Sequence, residues 1–201
     1  MENIHPIFDK ILDRSQKENL LRQRSVVIWM VGLSGSGKST IARLLEKRLH
    51  AAGHLTQLLD GDNLRSGLNS DLGFTEEDRQ ENQRRAAEIA KLFLHCGIIT
   101  LCSFISPTRE VRQRTREIVG EADFLEVHVK CSFDACAKRD VKGLYAKALR
   151  GEIKNFTGLD APFEEPQDPW IEVDTEKLTE EEAVEAILHK LVDRIAPNEK
   201  S

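Results

Sequence analysis

The stretch from Val26 to Thr40 decides the fold and reads VVIWMVGLSGSGKST. It begins with a run of apolar residues, as in a buried strand, and Gly32–Ser39 then fits the pattern G-x-x-x-x-G-K-[ST]. The segment Thr40–Ala52 has the periodicity of a helix. Strand, glycine-rich loop and helix in this order predict a phosphate-binding loop (P-loop), because backbone N–H groups at a helix N-terminus converge on phosphate oxygens.

The loop also supplies two side chains with defined chemistry. Lys38 adds a positive charge beside the β- and γ-phosphates, and the Ser39 hydroxyl is a ligand for Mg²⁺. Switch GTPases, ATPases and small-molecule kinases share such a loop, so other segments must separate them. The guanine-reading pattern N-K-x-D is absent, and the chain is too short for the extra modules of a motor ATPase. A small-molecule kinase is therefore favoured.

Short apolar runs alternate with helical patterns along the rest of the chain, and this alternation predicts an α/β fold of the P-loop NTPase type. We expect a five-stranded parallel sheet with helices on both faces and a lid loop. The predicted strands are Val26–Val31, Leu55–Leu59, Ile98–Phe104, Phe124–Val129 and Trp170–Val173. Capping-box patterns predict two long helices, one that begins at Thr75 with Asp78 and one that begins at Thr179 with Glu182.

Two segments interrupt this alternation. Asp140–Pro169 is rich in glycine and proline and contains only a short helical stretch at Leu144–Leu149, which predicts a long functional loop or lid. Residues 1–24 precede the first core strand and carry a predicted helix near Ser15–Arg22, so they form an arm that could fold over a site or a partner subunit. We expect one domain at residues 25–196 and a polar tail at residues 197–201.

Composition narrows the function classes further. The 201 residues carry a net charge of −5, which disfavours a uniformly basic surface for nucleic acid. No apolar run approaches the roughly 18 residues that cross a bilayer, and the N-terminus lacks the apolar core of a signal peptide. The four cysteines form no C-x-x-C pair, so reduced and buried thiols are expected. These features predict a cytoplasmic protein with no nucleic-acid or membrane partner.

Candidate acceptor-site residues follow the second strand, at the sheet edge where ligands bind in open α/β folds. Asp62 can hold Mg²⁺ through water and take a proton from an attacking hydroxyl, and Arg65 can pair with an anionic acceptor. The alternative for Asp62 is an N-cap of a helix at 63–67. Arg79 and Asn82 are three residues apart and share a helix face, which suits an anion beside a nucleobase or sugar; the alternative is a solvated face.

Further polar groups come from the third strand and the lid. Ser106 and Arg109 follow the third strand, and the basic run that continues through Arg112, Arg114 and Arg116 is interpreted as a solvated helix face. In the lid, Arg139 and Lys142 accompany aromatic residues, as expected of a loop that closes over phosphates. Phe74 and Phe156 could sandwich a purine; the alternative for each ring is core packing.

Taken together, these residues resemble the adenylylsulfate kinase (APS kinase) family in its single-domain form. The motifs GLSGSGKST, DGDNLR, DLGF, FISP, KGLY and FTG occur in family order and span roughly Val26 to Thr175. The resemblance implies transfer of the γ-phosphoryl of MgATP to the 3′-hydroxyl of adenosine 5′-phosphosulfate (APS), giving 3′-phosphoadenylylsulfate (PAPS) and ADP. It also implies a homodimer and a separate ATP sulfurylase upstream. Val141 and Phe163 depart from the usual Pro and Tyr and affect lid detail.

The resemblance also assigns site residues, in which ATP and Mg²⁺ are the implied cofactors. The ATP site comprises the P-loop and an arginine beside the adenine: Gly32, Leu33, Ser34, Gly35, Ser36, Gly37, Lys38, Ser39, Thr40 and Arg139. The APS site comprises Asp62, Asn63, Arg65, Phe74, Arg79, Asn82, Ile105, Ser106, Lys142 and Phe156. Lys38, Asp62 and Ser106 are the catalytic candidates, and Ser39 and Asp62 are the Mg²⁺ candidates.

Ser106 and the rival functions require separate tests. The family pattern makes Ser106 a phosphoserine intermediate, whereas we expect a hydrogen bond from Ser106 to substrate, because in-line transfer between two bound substrates needs no covalent step. The rivals are another small-molecule kinase, acting on a nucleotide or sugar acid, and a catalytically silent nucleotide sensor. We also expect six cations to converge on one anion-binding cleft: Lys38, Arg65, Arg79, Arg109, Arg139 and Lys142.

Overall fold

Five parallel strands form a single sheet in the computed structural model, which describes residues 5, 7 and 10–197. The strands are β1 (Val27–Val31), β2 (Thr56–Asp60), β3 (Ile99–Ser103), β4 (Phe124–Lys130) and β5 (Ile171–Asp174), in the order β2-β3-β1-β4-β5. The predicted five-stranded parallel sheet is confirmed, and every strand end lies within one residue of its predicted position. The P-loop follows β1, the central strand.

The helices of the described chain connect these strands. They are α1 (Arg14–Leu21), α2 (Lys38–Ala51), α3 (Gly61–Arg65), α4 (Glu76–His95), α5 (Arg109–Val119), α6 (Phe133–Arg139), α7 (Leu144–Leu149) and α8 (Glu180–Ile195). In the part of the chain that the structure covers, no helix is long and apolar enough to span a membrane.

Strand β1 is buried on both faces of the sheet, and its side chains alternate between two apolar clusters. Ile28 and Met30 pack in the cluster that α2 and α8 cover, whereas Val27 and Trp29 pack in the cluster that α4 covers. A parallel strand with helices on both faces needs such a continuous apolar run. This burial fixes the position of the P-loop at the C-terminal end of β1.

The two predicted capping boxes differ in the structure. At α8 both reciprocal bonds form between Thr179 and Glu182, so this box is confirmed. At α4 the hydroxyl of Thr75 accepts from the backbone N–H of Asp78 at 3.1 Å, and this bond forms alone. The side chain of Asp78 is one methylene shorter than the Glu or Gln of a capping box, which accounts for the missing return bond.

The N-terminal arm packs, from Arg14 onward, against its own domain at the edge where the strands begin. The Arg14 guanidinium donates to both carboxylate oxygens of Asp123 at 2.6 and 2.9 Å, and to the carbonyl of Ser25 at 2.6 Å. Gln23 Nε2 donates to the carbonyl of Gly97 at 2.8 Å. This part of the arm lies at the edge opposite the P-loop, and the expectation that the arm folds over a site or a partner subunit stays a prediction. Most of residues 1–9 and of the predicted tail lie outside the described residues.

The basic run of α5 is solvated at Arg109 and Arg114, as predicted, but not at Arg112 and only partly at Arg116. Arg112 is 4% exposed; its Nε lies 3.4 Å from Glu126 on β4 and its Nη1 donates to the carbonyl of Ser106 at 2.9 Å. Arg116 also reaches Glu126, at 2.9 Å. Arg114 is exposed and pairs with Glu110. The prediction failed because Glu126, a buried carboxylate on a neighbouring strand, is distant in the sequence.

The thiols are partly as expected. Cys102, Cys131 and Cys136 are buried, but Cys96 is exposed. Cys96 occupies the C-cap of α4, where the helix leaves the apolar cluster. The expectation of four buried thiols is therefore wrong at that position.

We predict that Arg112→Ala lowers the free energy of unfolding by about 3 kcal/mol, because it removes one of the two cations beside the buried Glu126 carboxylate. The control is Arg114→Ala on the same helix, which breaks an exposed pair and should change stability by no more than about 0.5 kcal/mol. Urea unfolding measures both variants. Equal effects of the two substitutions would contradict the structural role of Arg112.

Candidate active site

The P-loop packs tightly at the carboxyl ends of β1 and β4. A Cβ atom on Gly32 would lie 2.5 Å from the backbone oxygen of Val129, so the loop requires a glycine there. Gly37 has φ +104 and is the N-cap of α2. These two glycines allow the backbone to turn from β1 into the helix.

Lys38 carries a buried charge at the start of α2. Its Nζ donates to the carbonyls of Gly32 and Leu33 at 2.9 and 2.7 Å. Burial lowers the pKa of Lys38 to about 8, and the nearby carboxylates of Asp60 and Asp62 oppose this shift. A desolvated ammonium gains strongly from a phosphate beside it, since burial has removed the competing water.

The Ser39 hydroxyl lies against a carboxylate that the sequence analysis did not select. Ser39 Oγ donates to Asp60 Oδ2 at 2.8 Å and lies 3.0 Å from Ser103 Oγ. Asp60 Oδ1 accepts from the backbone N–H of Asp62 at 3.0 Å and caps α3. The alternative in which Asp62 is the N-cap is therefore wrong. Asp60 could have been found from its position as the last residue of a strand beside the P-loop.

Asp62 faces the lid across the acceptor edge. Its side chain is 66% exposed, and its Oδ2 accepts a hydrogen bond from Lys142 Nζ. Arg79 on α4 makes a second bridge, from Nη1 to Thr157 Oγ1 at 3.4 Å. The lid in this structure therefore spans the space above the carboxyl ends of β2 and β3.

The lid is also tied to the P-loop. The hydroxyl of Tyr145 donates to the carbonyl of Ser34 at 2.7 Å. Arg139, just before the lid, donates to Thr175 Oγ1 at 3.0 Å and to the Gly35 carbonyl at 3.4 Å. Arg139 therefore lies against the P-loop, and its predicted place beside the adenine stays a prediction.

The far end of the lid is anchored at the start of α5. The backbone N–H of Arg109 donates to Glu164 Oε2 at 2.7 Å, and Glu164 N–H donates to the carbonyl of Pro107 at 2.8 Å. Arg109 is thus held by its backbone where the far end of the lid meets α5. Among the described residues, no hydrogen bond or ion pair links the Arg109 side chain to the groups around Lys38 or Asp62, so its convergence with the other five cations stays a prediction.

Arg65 and Arg79 form a positive pair on the acceptor side. Burial lowers the pKa of both guanidinium groups, and repulsion from Arg79 adds to the shift at Arg65. Two partly desolvated cations that repel each other are stabilised by an anion between them. This electrostatic arrangement supports an anionic acceptor.

The two candidate aromatic residues lie in different environments. Phe74 is 67% exposed, and the Arg65 guanidinium lies 4.7 Å from its ring centroid. Phe156 is buried and packs edge-on against Tyr145 at 4.8 Å. The core-packing alternative therefore describes Phe156 in this structure, while Phe74 offers an open ring face. The purine sandwich stays a prediction.

Ser106 differs from the expected substrate contact. It is fully buried with φ +46; its hydroxyl donates to Gln83 Oε1 at 2.5 Å and accepts from Trp29 Nε1 at 2.9 Å. The single hydroxyl proton is thus used inside the protein. The expected hydrogen bond from Ser106 to substrate stays a prediction, and it would require the hydroxyl to leave Gln83. Sequence reasoning missed Gln83 and Trp29 because each lies on a different element.

The other predicted acceptor-site residues lie around this loop and the two helices. Asn63 is exposed on α3, and Asn82 is 4% exposed on α4. Ile105 is half-buried, and its carbonyl accepts from the N–H of Gly32 at 3.4 Å. The structure therefore places Ile105 directly between the P-loop and the buried Ser106.

Two surface cavities lie outside this cleft. One of about 440 Å³ lies beside Trp170 and Lys190, where the strands begin, and one of about 460 Å³ lies beside His128 and Phe163, between β4 and the lid. Neither is lined by Lys38, the P-loop lysine. The second cavity reaches the P-loop at Leu33.

Comparisons with known proteins agree with this geometry. A family model described as Adenylylsulphate kinase matches residues 24–174. The chain is 60% identical to an adenylyl-sulfate kinase of Phocaeicola vulgatus over 187 residues, which cover 93% of this chain and 92% of that protein. It is 56% identical to an adenylyl-sulfate kinase of Clostridium acetobutylicum over 180 residues, which cover 90% of each.

Solved structures show the same likeness. The APS kinase CysC of Mycobacterium tuberculosis, in complex with AMPPNP and APS, superposes with a TM-score of 0.81 at 43% identity, covering 84% of this chain and 98% of that chain. A gluconokinase from Sinorhizobium meliloti superposes with a TM-score of 0.55 at 18% identity, covering 86% and 94%. The second likeness concerns the fold alone.

We predict that Lys142→Ala increases the rate of amide hydrogen exchange across the lid, because it removes the bridge to Asp62. The global free energy of unfolding should change by less than about 1 kcal/mol, since both partners are exposed. The matched control is Lys147→Ala, on α7 of the same lid, whose side chain makes no ion pair with any described residue. Unchanged exchange in Lys142→Ala would show that this bridge does not hold the lid.

Proposed function

Because the chain belongs to the adenylylsulfate kinase family, we propose that it phosphorylates APS by direct in-line transfer in the cleft between the P-loop and the acceptor edge. It is an ATP-dependent kinase that converts APS and ATP to PAPS and ADP. The single observation that carries the proposed mechanism is the grouping of Lys38, Asp60 and Asp62, with Lys142, at one sheet edge.

Asp62 is the proposed general base. It is the exposed carboxylate of this group, and it lies at the start of α3, where its backbone N–H is held by Asp60. In the reaction the 3′-hydroxyl of APS gives its proton to Asp62 as its oxygen bonds to the γ-phosphorus, while the bond from that phosphorus to the oxygen of ADP breaks. Lys142 places a positive charge beside Asp62 and the transferred group.

Lys38 is proposed to stabilise the transferred phosphoryl group. Its ammonium is buried and donates to carbonyls of the P-loop. Because little water reaches this ammonium, a phosphate oxygen beside it would gain a strong electrostatic interaction. The backbone N–H groups of the loop other than those of Gly32 and Ser36, which bond within the protein, are proposed to complete the cradle. Arg139 lies beside the outer face of the loop and is proposed to flank the adenine of ATP.

Mg²⁺ is the proposed metal, and the donor atoms suit it. Hard oxygen ligands are present in Ser39 Oγ, Asp60 Oδ2 and Ser103 Oγ, which lie together. Kinase sites hold Mg²⁺ with few protein oxygens, water and the phosphates, so a cluster of acidic side chains is unnecessary. When bound, Mg²⁺ neutralises charge on the phosphates. The contacts of Ser39 favour Asp60 over the predicted Asp62 as its carboxylate partner.

The acceptor site is proposed to bind APS through charge and stacking. Arg65 and Arg79 would pair with the phosphosulfate, and the exposed ring of Phe74 would stack on the adenine. Arg65 lies on α3, which also carries Asp62. Arg79 lies on α4, and Phe74 lies in the segment between these two helices. Asn63, Asn82, Ile105, Lys142 and Phe156 complete the proposed APS site.

The cellular setting is also part of the proposal. A cytoplasmic location fits the four free thiols. A separate ATP sulfurylase as supplier of APS and a homodimer stay predictions from the family resemblance. A related solved structure, the APS kinase of Thiobacillus denitrificans, is described as hexameric.

Coupled ADP release, with APS, AMP and gluconate as separate acceptors, tests the proposed function. We expect turnover with APS and little with the other two. Asp62→Asn should lower kcat by about 10²- to 10⁴-fold, because it removes the proton acceptor. Asp60→Asn should instead increase the Mg²⁺ concentration needed for half-maximal rate. Absence of APS-dependent turnover would contradict the proposed function, and a fully active Asp62→Asn enzyme would contradict the assignment of Asp62 as the base.

Ser106→Ala separates direct transfer from a phosphoserine intermediate. We expect the variant to retain turnover within about tenfold of wild type, because it loses only buried hydrogen bonds near the site. Intact-mass measurement of wild-type enzyme with ATP alone should show no added phosphate. Near-total loss of activity, with a trapped phosphoserine at Ser106 in the wild type, would overturn direct transfer.

A further inference from the structure

A buried amide beside the acceptor site has an unpaired oxygen. Asn69 is fully buried, and its Nδ2 donates to Asn82 Oδ1 at 2.8 Å. Asn69 Oδ1 has no hydrogen-bond partner, and among buried side-chain oxygen and nitrogen atoms of the described residues it alone lacks one. An unsatisfied buried acceptor destabilises a fold, so its presence calls for an explanation.

The position of Asn69 connects the two helices of the acceptor site. Its backbone N–H donates to the carbonyl of Leu64 on α3 at 2.8 Å, and its own carbonyl accepts from Leu72 at 3.1 Å. Its side chain reaches Asn82 on α4, one turn beyond Arg79. Asn69 therefore fixes the helix that carries Asp62 and Arg65 relative to the helix that carries the second arginine.

The bond from Asn69 also determines which atoms Asn82 can present. An amide group has one acceptor oxygen and one NH₂ donor, and Asn82 uses its oxygen on Asn69. In the described structure no protein acceptor takes the Nδ2 hydrogens of Asn82, and the residue keeps a small exposed surface. The group that Asn82 retains for a ligand is therefore an N–H donor.

We propose that Asn69 is a positioning residue for the acceptor: it holds the Asn82 amide so that Asn82 donates a hydrogen bond to the purine nucleoside of the substrate. This inference rests on the proposed function and deepens it. Ring nitrogens of a purine and ribose oxygens both accept such a bond. Without the N–H of Asn69, the Asn82 amide can turn over and present its oxygen, which repels those acceptors.

Asn69→Leu separates positioning from a structural role. Leucine has a similar branched shape; it removes the unpaired oxygen of Asn69 but also the N–H that Asn82 Oδ1 accepts, so one unpaired buried acceptor replaces another. We therefore expect a similar Tm, a KM for APS raised about tenfold, an unchanged KM for ATP and a kcat within about twofold of wild type. Asn19→Leu, on the exposed face of α1, is the control for the chemical change.

A double-mutant cycle with Asn82→Ala completes the test. If Asn69 acts through Asn82, Asn69→Leu has no further effect on the KM for APS in the Asn82→Ala background. An unchanged KM in Asn69→Leu, or an effect that persists without the Asn82 amide, would overturn the inference while the proposed function stands. A wild-type enzyme without APS turnover would overturn both.

Asn69→Ala is the second variant, and its smaller side chain fits the buried site without steric conflict. It should raise the KM for APS as Asn69→Leu does, although its Tm falls because a cavity remains. Failure of both variants to fold would assign Asn69 a structural role and overturn the inference.

Discussion

The buried charge of Lys38 is the constraint on which the site depends. An ammonium removed from water requires nearby oxygens, and the P-loop supplies the carbonyls of Gly32 and Leu33. The loop can wrap around that charge only because β1 is anchored in two apolar clusters and Gly32 packs directly against Val129. The core thus fixes the loop, and the loop fixes the charge that is proposed to bind phosphate.

Local sequence patterns predicted the fold and the nucleotide side of the site. The apolar run at Val26–Val31, the glycine spacing and the Thr179 cap depend on residues close together in the chain, and the structure has each of them. Short-range patterns carry this information because helices and strands have fixed periods. The acceptor side was assigned chiefly through the resemblance to a family.

The residues that sequence reasoning missed act through long-range pairs. Arg112 of α5 is buried against Glu126 of β4. The hydroxyl of Ser106 donates its hydrogen bond to Gln83 of α4. Asp60 meets Ser39 across 21 positions of the chain. Sequence periodicity carries no information about such pairs. A charged helix face is therefore predicted to be solvated unless the position of the strand that carries its counter-ion is known.

The lid contacts both the P-loop and the acceptor edge of the site. Tyr145 ties it to the P-loop, and Lys142 ties it to Asp62, so the same segment contacts the phosphate side and the acceptor side. The bridge to Asp62 is exposed and weak, whereas the anchor at Tyr145 is partly buried. The lid is therefore expected to open first at the acceptor edge. Substrate entry would then free the carboxylate, and closure would exclude water as the proton moves.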